Sequence, residues 1–180
     1  AKYDTILREF CRDEPELAAV SLFNKAAIYE IQKEEKKAIQ TYERVVKEFK
    51  KSKVAPEAMF NIGMIYEAQT QFKEAAASFL RMASIRKNAD AAQALINAGA
   101  ILKALRQPDQ AVKAFSAFIK LAPKIEAGPD TGRLRALIPD AQLEIGRVWE
   151  TAGNLKKAKK AYGKVAKKYS SRPELQVEAI

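Results

Sequence analysis

Apolar residues in this chain fall into paired runs, each with helical spacing. In the run that begins at Pro56, the positions Met59, Ile62, Gly63 and Tyr66 recur three and four apart, the spacing of one helix face rather than of a strand. Pro56 suits a first helical position, where its missing N–H would have no partner anyway. The periodicity breaks around Gln69–Gln71, and a second stripe follows at Phe72, Ala75, Phe79 and Met82. The predicted unit is a helix, a tight turn and an antiparallel helix. Its first helix carries Phe60-Asn-Ile-Gly-Met-Ile-Tyr-Glu67, which echoes Phe23-Asn-Lys-Ala-Ala-Ile-Tyr-Glu30 37 positions earlier. Self-similarity at a period of a few tens of residues marks a stacked-repeat protein.

The same frame fits three more times. One unit holds Leu22, Ala26 and Tyr29, then Ala38, Tyr42 and Val45. Another holds Leu95, Gly99 and Leu102, then Ala111, Phe115 and Phe118, and ends at Pro123. The last holds Ile145, Gly146 and Trp149, then Ala158, Tyr162 and Val165. Successive units are offset by 37, 36 and 47 residues. The expected repeats run over 15–53, 54–89, 90–123 and 139–171, with an insertion at 124–138. Tyr3–Phe10 parallels the second helices, so 1–14 reads as half of an interrupted unit. Pro173-Glu-Leu parallels Pro56-Glu-Ala, so 172–180 reads as the start of another. Terminal repeats normally carry a polar outer face. Neither end offers one, and the expectation is a piece of a longer repeat protein with apolar surface at both ends.

Within the insertion, Ala127-Gly-Pro-Asp-Thr-Gly132 is turn chemistry. Helical spacing resumes at Leu134, Leu137 and Ile138, so Pro139 either bends or starts the first helix of the last unit. Insertions in repeat arrays map to loops on one face, where they can carry binding or serve as spacers.

Composition supports an all-α chain: 48% of the 180 residues are apolar, and strand-forming runs are scarce. It also narrows the chemistry. There is no histidine, so neither a neutral-pH imidazole base nor an imidazole metal ligand is offered. The single cysteine, Cys11, cannot form an internal disulfide or a cysteine-based zinc site, and Asp13 and Glu14 beside it disfavour a thiolate. No glycine-rich phosphate loop or Gly-x-Ser-x-Gly elbow occurs. Catalysis, a cofactor and a small-molecule substrate are not expected. No apolar run approaches the ~20 residues that span a bilayer.

With its units aligned, the chain resembles the tetratricopeptide repeat family. That pattern asks for a small residue, an aromatic three later, Ala nine after that and an aromatic four further on. Gly63/Tyr66/Ala75/Phe79 and Gly146/Trp149/Ala158/Tyr162 match throughout, whereas Ala26 replaces Gly in the first unit and Leu102 replaces the aromatic in the third. The physical demand behind it is a small residue wherever an aromatic lands between closely crossing helices. Tyr42–Phe49, followed by Ser52 and Pro56-Glu-Ala, looks like the bacterial envelope subgroup, which includes outer-membrane-assembly lipoproteins and Tol–Pal-coordinating proteins. The resemblance implies a right-handed α-solenoid of antiparallel helix pairs whose first helices line a concave groove.

Carried over position by position, that groove comprises four rows. Phe23, Phe60, Ile96 and Leu143 form the first, and Asn24, Asn61, Asn97 and Glu144 the second. Ala27, Met64, Ala100 and Arg147 follow, then Glu30, Glu67, Lys103 and Glu150. The implied occupant is a protein or peptide segment, apolar and with a basic flank to meet Glu30 and Glu67. Two structural alternatives stand beside this: the asparagines bond neighbouring helices, and the phenylalanines are buried between units. Chaperone-tail binders of the family clamp a carboxylate with cations, but the matching positions here are Phe23, Ala27, Asn61, Gln93 and Asn97. Only Asn61 fits, so a clamp of that kind is not expected.

The net charge of +10 shifts attention to a second surface. Asn154–Tyr169 predicts a helix with a buried stripe of Leu155, Ala158, Tyr162, Val165 and Tyr169. Lys156, Lys157, Lys159, Lys160, Lys164, Lys167 and Lys168 lie opposite, on what would be the convex side. Lys33, Lys36, Lys37, Lys47, Lys50, Lys51 and Lys53 form another basic area. Such faces suit anionic headgroups, acidic proteins or phosphate backbones, or are simply solvated. Nucleic acid is disfavoured, because no exposed aromatics interleave with the lysines and the helix holds no arginine. The leading expectation is a non-catalytic interaction module or scaffold. A lysine-face anionic binder, with peripheral membrane contact, and a passive structural or oligomerisation array are the alternatives.

Overall fold

The computed structural model describes residues 14–169. Tyr3–Phe10, Cys11 and Pro173–Leu175 lie outside the described residues. The chain divides at Ile85/Arg86 into two compact units. Among the described residues all regular structure is helical, and no helix is long and apolar enough to cross a membrane.

Unit 1 holds two helix pairs. The first is α1 (Pro15–Ile31) with α2 (Glu35–Glu48), and the second is α3 (Ala55–Ala68) with α4 (Phe72–Ile85). Prolines stand in the first turns of α1 and α3. Glu16 of α1 accepts the Lys53 N–H at 3.1 Å, tying the entrance of α3 to α1. The core is built from Leu22, Tyr42, Val45, Met59, Ile62, Phe79 and Met82. The Phe23 and Tyr42 rings lie 5.2 Å apart and those of Phe60 and Phe79 5.4 Å apart, both tilted, a favourable aromatic geometry.

Unit 2 holds α5 (Ala89–Ala104) with α6 (Pro108–Leu121), a short 3-10 turn (Ala122–Lys124), the insertion helix α7 (Thr131–Ala136), and α8 (Ile138–Thr151) with α9 (Leu155–Lys168). Asn88 caps α5 by accepting the Ala91 N–H at 3.0 Å, and Asn154 caps α9 by accepting the Lys157 N–H at 3.1 Å. Pro139 stands in the first turn of α8, after a break at Leu137, so it starts that helix rather than bending a longer one. Leu95, Leu102, Phe115, Phe118, Leu134 and Val165 make the core.

The turn inside each helix pair is the same structure four times over. Lys33, Thr70, Arg106 and Gly153 have positive φ, between 54° and 74°. In the first turn the Lys33 N–H reaches Glu30 O and the Glu34 N–H reaches Tyr29 O, and the other three repeat both bonds. This is the double closure that satisfies a helix's last carbonyls, and it requires a left-handed residue. Only the last copy uses glycine, the residue that adopts this conformation without steric cost.

The helices of a pair meet where a glycine on the first faces an aromatic on the second. A methyl group on Gly63 would lie 2.7 Å from Phe79 Cε1, and one on Gly99 2.7 Å from Phe115 Cε1. One on Gly146 would overlap the Tyr162 ring. The two partners are always sixteen residues apart, a separation shared by Ala26 and Tyr42. Two expected members of the buried stripes are instead exposed: Phe72 at 42% and Leu155 at 68%. Both are first residues of second helices, so they sit at the turn, beyond the helix–helix contact.

Gly99→Ala should therefore lower stability by about 1 kcal/mol. Overpacking against Phe115, costing roughly 1–3 kcal/mol, outweighs a helix-propensity gain of at most about 1 kcal/mol. Urea unfolding checks this, and Phe115→Leu in the Gly99→Ala background should recover part of the loss.

Candidate interaction surface

Each unit presents its own first-helix face. In unit 1 the face is carried by α1 and α3. Phe23 and Phe60 are half-buried because their rings rest on Tyr42 and Phe79, so they form the floor of the face more than its contact surface. Met64 is 43% exposed, Asn24 is exposed, and Ala27, Glu30 and Glu67 are half-buried. Met64 is thus the most exposed large apolar side chain of α3, with the Glu67 carboxylate one helical turn further along.

The asparagine row does not act as one unit. Asn61 donates to the Tyr42 hydroxyl at 3.1 Å, and that hydroxyl donates to Glu30 Oε2 at 3.2 Å. A single phenol on α2 thus links α1 to α3. Burial pushes the Tyr42 pKa up to about 12; the Glu30 carboxylate adds to the shift and the Asn61 bond opposes it. The hydroxyl stays protonated, so it can both donate and accept. Asn97 accepts from Gln93 Nε2 at 2.9 Å along α5. Of the three, Asn24 alone is exposed.

In unit 2 the face is carried by α5 and α8. Ile96 and Asn97 are half-buried and Ala100 is exposed. Leu143 departs from the expected row. It is only 2% exposed, because Val165, Tyr162 and Tyr169 pack around it, so it belongs to the core and offers nothing to a partner. Beside it, Glu144 is held at both oxygens, by Lys103 Nζ of α5 and by Arg147 Nη1 of α8, each at 2.5 Å. Burial opposes ionisation of Glu144, but the hydrogen bonds from Lys103 and Arg147 prevail and hold its carboxyl below the usual range. Lys103 thus bridges α5 to α8, and Arg147 pairs with Glu144 within α8. Glu150 is exposed and accepts from the Tyr162 hydroxyl at 2.7 Å, the same twelve-residue relation as Glu30 with Tyr42. Burial, reinforced by Glu150, pushes the Tyr162 pKa up to about 12.

The seven lysines of α9 are all exposed, and Lys157 lies 3.8 Å from the centre of the Trp149 ring, a close cation–π contact. The seven lysines of the other basic area are exposed too; Lys37 pairs with Glu34 and lies over Tyr29.

A cleft of about 320 Å³ opens between α2 and α4, with Val46, Met59 and Ile62 below and Glu43, Tyr66 and Arg81 among its walls. Met59, Ile62 and Tyr66 belong to the periodic stripe of α3, whereas nothing in the repeat pattern marks Glu43 or Arg81. Among the described residues no cluster of acidic, histidine or cysteine side chains is placed to hold a metal ion.

Paired antiparallel helices with a recurrent turn and ring-on-glycine crossings define a helical-repeat protein of the tetratricopeptide type. A family model described as Tetratricopeptide repeat matches residues 20–52, and one described as Soluble NSF attachment protein, SNAP, matches residues 48–178. The chain belongs to the SNAP family, and its helix pairs are tetratricopeptide repeats. No curated protein sequence matches it. Among solved structures, BtubC (BKLC) from P. vanneervenii is 18% identical, over 94% of this chain and 71% of that one, with a TM-score of 0.61. MamA is 16% identical, over 96% and 91%, with a TM-score of 0.56. YrrB, described as a TPR protein with an unusual peptide-binding site, is 17% identical, over 99% and 80%, with a TM-score of 0.58. At these identities the likeness is one of fold: an all-α, tetratricopeptide-like solenoid.

Two outcomes follow from the polar contacts. Tyr42→Phe should destabilise the protein by about 1–2 kcal/mol, since it leaves Glu30 and Asn61 without their shared partner; urea unfolding checks this. Glu144 has a depressed folded-state pKa, so its contribution is present above the unfolded value near ~4.3 and is lost as pH falls through the folded value. The stability gap between wild type and Glu144→Gln should therefore be full at neutral pH and shrink below about pH 4 in pH-dependent thermal melts.

Proposed function

We propose that the chain is a non-catalytic protein–protein interaction module that binds an extended or helical peptide segment on its first-helix faces. Membership of a tetratricopeptide-type family supports the general class, an interaction scaffold. The observation that carries the finer reading is the α3 face of unit 1, where Met64 is a large apolar side chain left 43% exposed, with half-buried Phe60 and Glu67 one helical turn before and after it. Methionine suits such a place, because its unbranched, polarisable side chain adapts to different partners. Glu30 and Glu67 favour a segment with apolar anchors and a basic flank. Asn24 offers an amide to the backbone of such a segment, whereas the Asn61 amide serves the fold. Placement in a bacterial envelope rests on the Tyr42–Phe49 segment with Ser52 and Pro56.

The groove substitution must spare the floor. Phe60→Asp would damage the Phe79 contact, so Met64→Asp and Ala27→Arg are the cleaner variants. Peptides selected by the wild-type chain from a displayed random library should bind each variant at least about ten-fold more weakly, because a charge is placed where an apolar anchor sits. Reversing Lys156, Lys157, Lys159 and Lys160 should leave binding unchanged. The opposite pattern, with the lysine variant inactive and both groove variants normal, would mean that the surface of α9 is the functional one.

A further inference from the structure

The insertion of unit 2 is a built element with a fixed position. The Thr131 hydroxyl accepts the Gly128 N–H at 2.9 Å and donates to Glu126 O at 3.0 Å, closing the loop ahead of α7. Arg135 donates to the Pro123 and Ile125 carbonyls at 3.4 and 3.1 Å, fastening α7 to the end of the preceding pair. Leu134 is 1% exposed and anchors α7 in the core. Between these fastenings lies Arg133, whose side chain is 63% exposed.

Arg133 does not extend freely into solvent. Its Nη2 donates to Gln93 Oε1 at 3.2 Å, a contact across 40 residues of sequence. The Gln93 amide in turn donates to Asn97 Oδ1. Gln93, Asn97 and Ala100 are four and three residues apart and share one face of α5. That is the face on which Ile96, Asn97 and Ala100 form the unit 2 row. The insertion therefore plants a guanidinium at the amino-terminal end of this row. Its carboxylate neighbour Asp130 is 3.7 Å away with both groups well exposed, so the pair contributes little and can be displaced.

We propose that Arg133 is a specificity determinant: it receives a carboxylate from the segment bound along α5, so that unit 2 prefers peptides with Asp or Glu at a fixed distance from their contact with Ile96 and Ala100. This rests on the interaction-module reading above. An arginine fits the task, because its planar fork pairs with both oxygens of a carboxylate and keeps its charge at any physiological pH. Gln93 holds the fork by one edge and so reduces the conformational freedom lost on binding. The inserted segment thereby gives this unit a preference that the repeat pattern alone would not supply.

The test is a selection from a displayed library of random peptides on the full 180-residue chain, repeated with Arg133→Glu, Arg133→Lys and Ala100→Arg. Wild type should enrich acidic residues at one position. Arg133→Glu should bind those acidic peptides about ten-fold more weakly and enrich basic residues at that position instead, whereas Arg133→Lys should keep the acidic preference. Ala100→Arg should lose the selected peptides altogether. An identical selection by wild type and Arg133→Glu, with loss in Ala100→Arg, would overturn the role of Arg133 while leaving the groove reading intact. Selection unaffected by Ala100→Arg would overturn the groove reading for this unit and the inference with it. Thermal melts of the variants distinguish a change of preference from a change of folding: a lowered melting temperature with unchanged selection would make Arg133 a staple of the insertion and nothing more.

Discussion

The structure depends on one close contact that recurs in three of the four described helix pairs, with Ala26 at the equivalent place in the other: an aromatic ring on the second helix pressed onto a glycine on the first. Phe79 on Gly63, Phe115 on Gly99 and Tyr162 on Gly146 leave no room for a methyl group. This contact fixes how near the helices of a pair approach and the rotation of each about its own axis. Once that rotation is set, the remaining positions of the first helix have assigned duties. One stripe faces the core, and the neighbouring stripe, with Met64 in unit 1 and Ala100 in unit 2, faces out. The glycine costs helix propensity, and the buried ring offsets that cost through area and packing.

The recurrent left-handed turn completes the arrangement. Each first helix ends in the same pair of backbone hydrogen bonds and turns back within three residues. With turn and ring contact both fixed, the sixteen-residue separation of the paired residues is a consequence of geometry. The polar contacts then divide the surface. In unit 1 a phenol spends Asn61 and engages Glu30. In unit 2 Lys103 and Arg147 share the single carboxylate of Glu144. The first-helix side chains left without such contacts are a smaller set than the repeat pattern alone implies, and under the proposed function they are the ones available to a partner: Met64, Ala27 and exposed Asn24 in unit 1, and Ile96 and Ala100 in unit 2.

Much of this could be read from the residues alone. Helix pairing, turn positions and the identity of the crossing glycines follow from local periodicity and from internal repetition, which turns one chain into several aligned copies. The failures have physical causes. Leu143 aligns with Phe23 and Phe60, but its surroundings are set by Tyr162, Tyr169 and Val165, and alignment of first helices is blind to second-helix neighbours. Phe72 and Leu155 keep the stripe's spacing yet sit at a turn, where spacing no longer implies contact. The Asn61–Tyr42 bond is of the kind named by the alternative in which the asparagines bond neighbouring helices. The Arg133–Gln93 bond joins residues 40 positions apart, in no repeating relation that a sequence could advertise.

The central claim is that the first-helix faces, and not the lysine-covered face of α9, meet the partner. NMR chemical-shift mapping tests this most directly, using the full chain titrated with a peptide that it selects. The account predicts that the perturbed signals include the Met64 methyl and amides of α1 and α3, or Ile96, Ala100 and Arg133 in unit 2, while Lys156–Lys168 remain unmoved. Perturbations confined to α9, with Met64 and Ala100 silent, would contradict it.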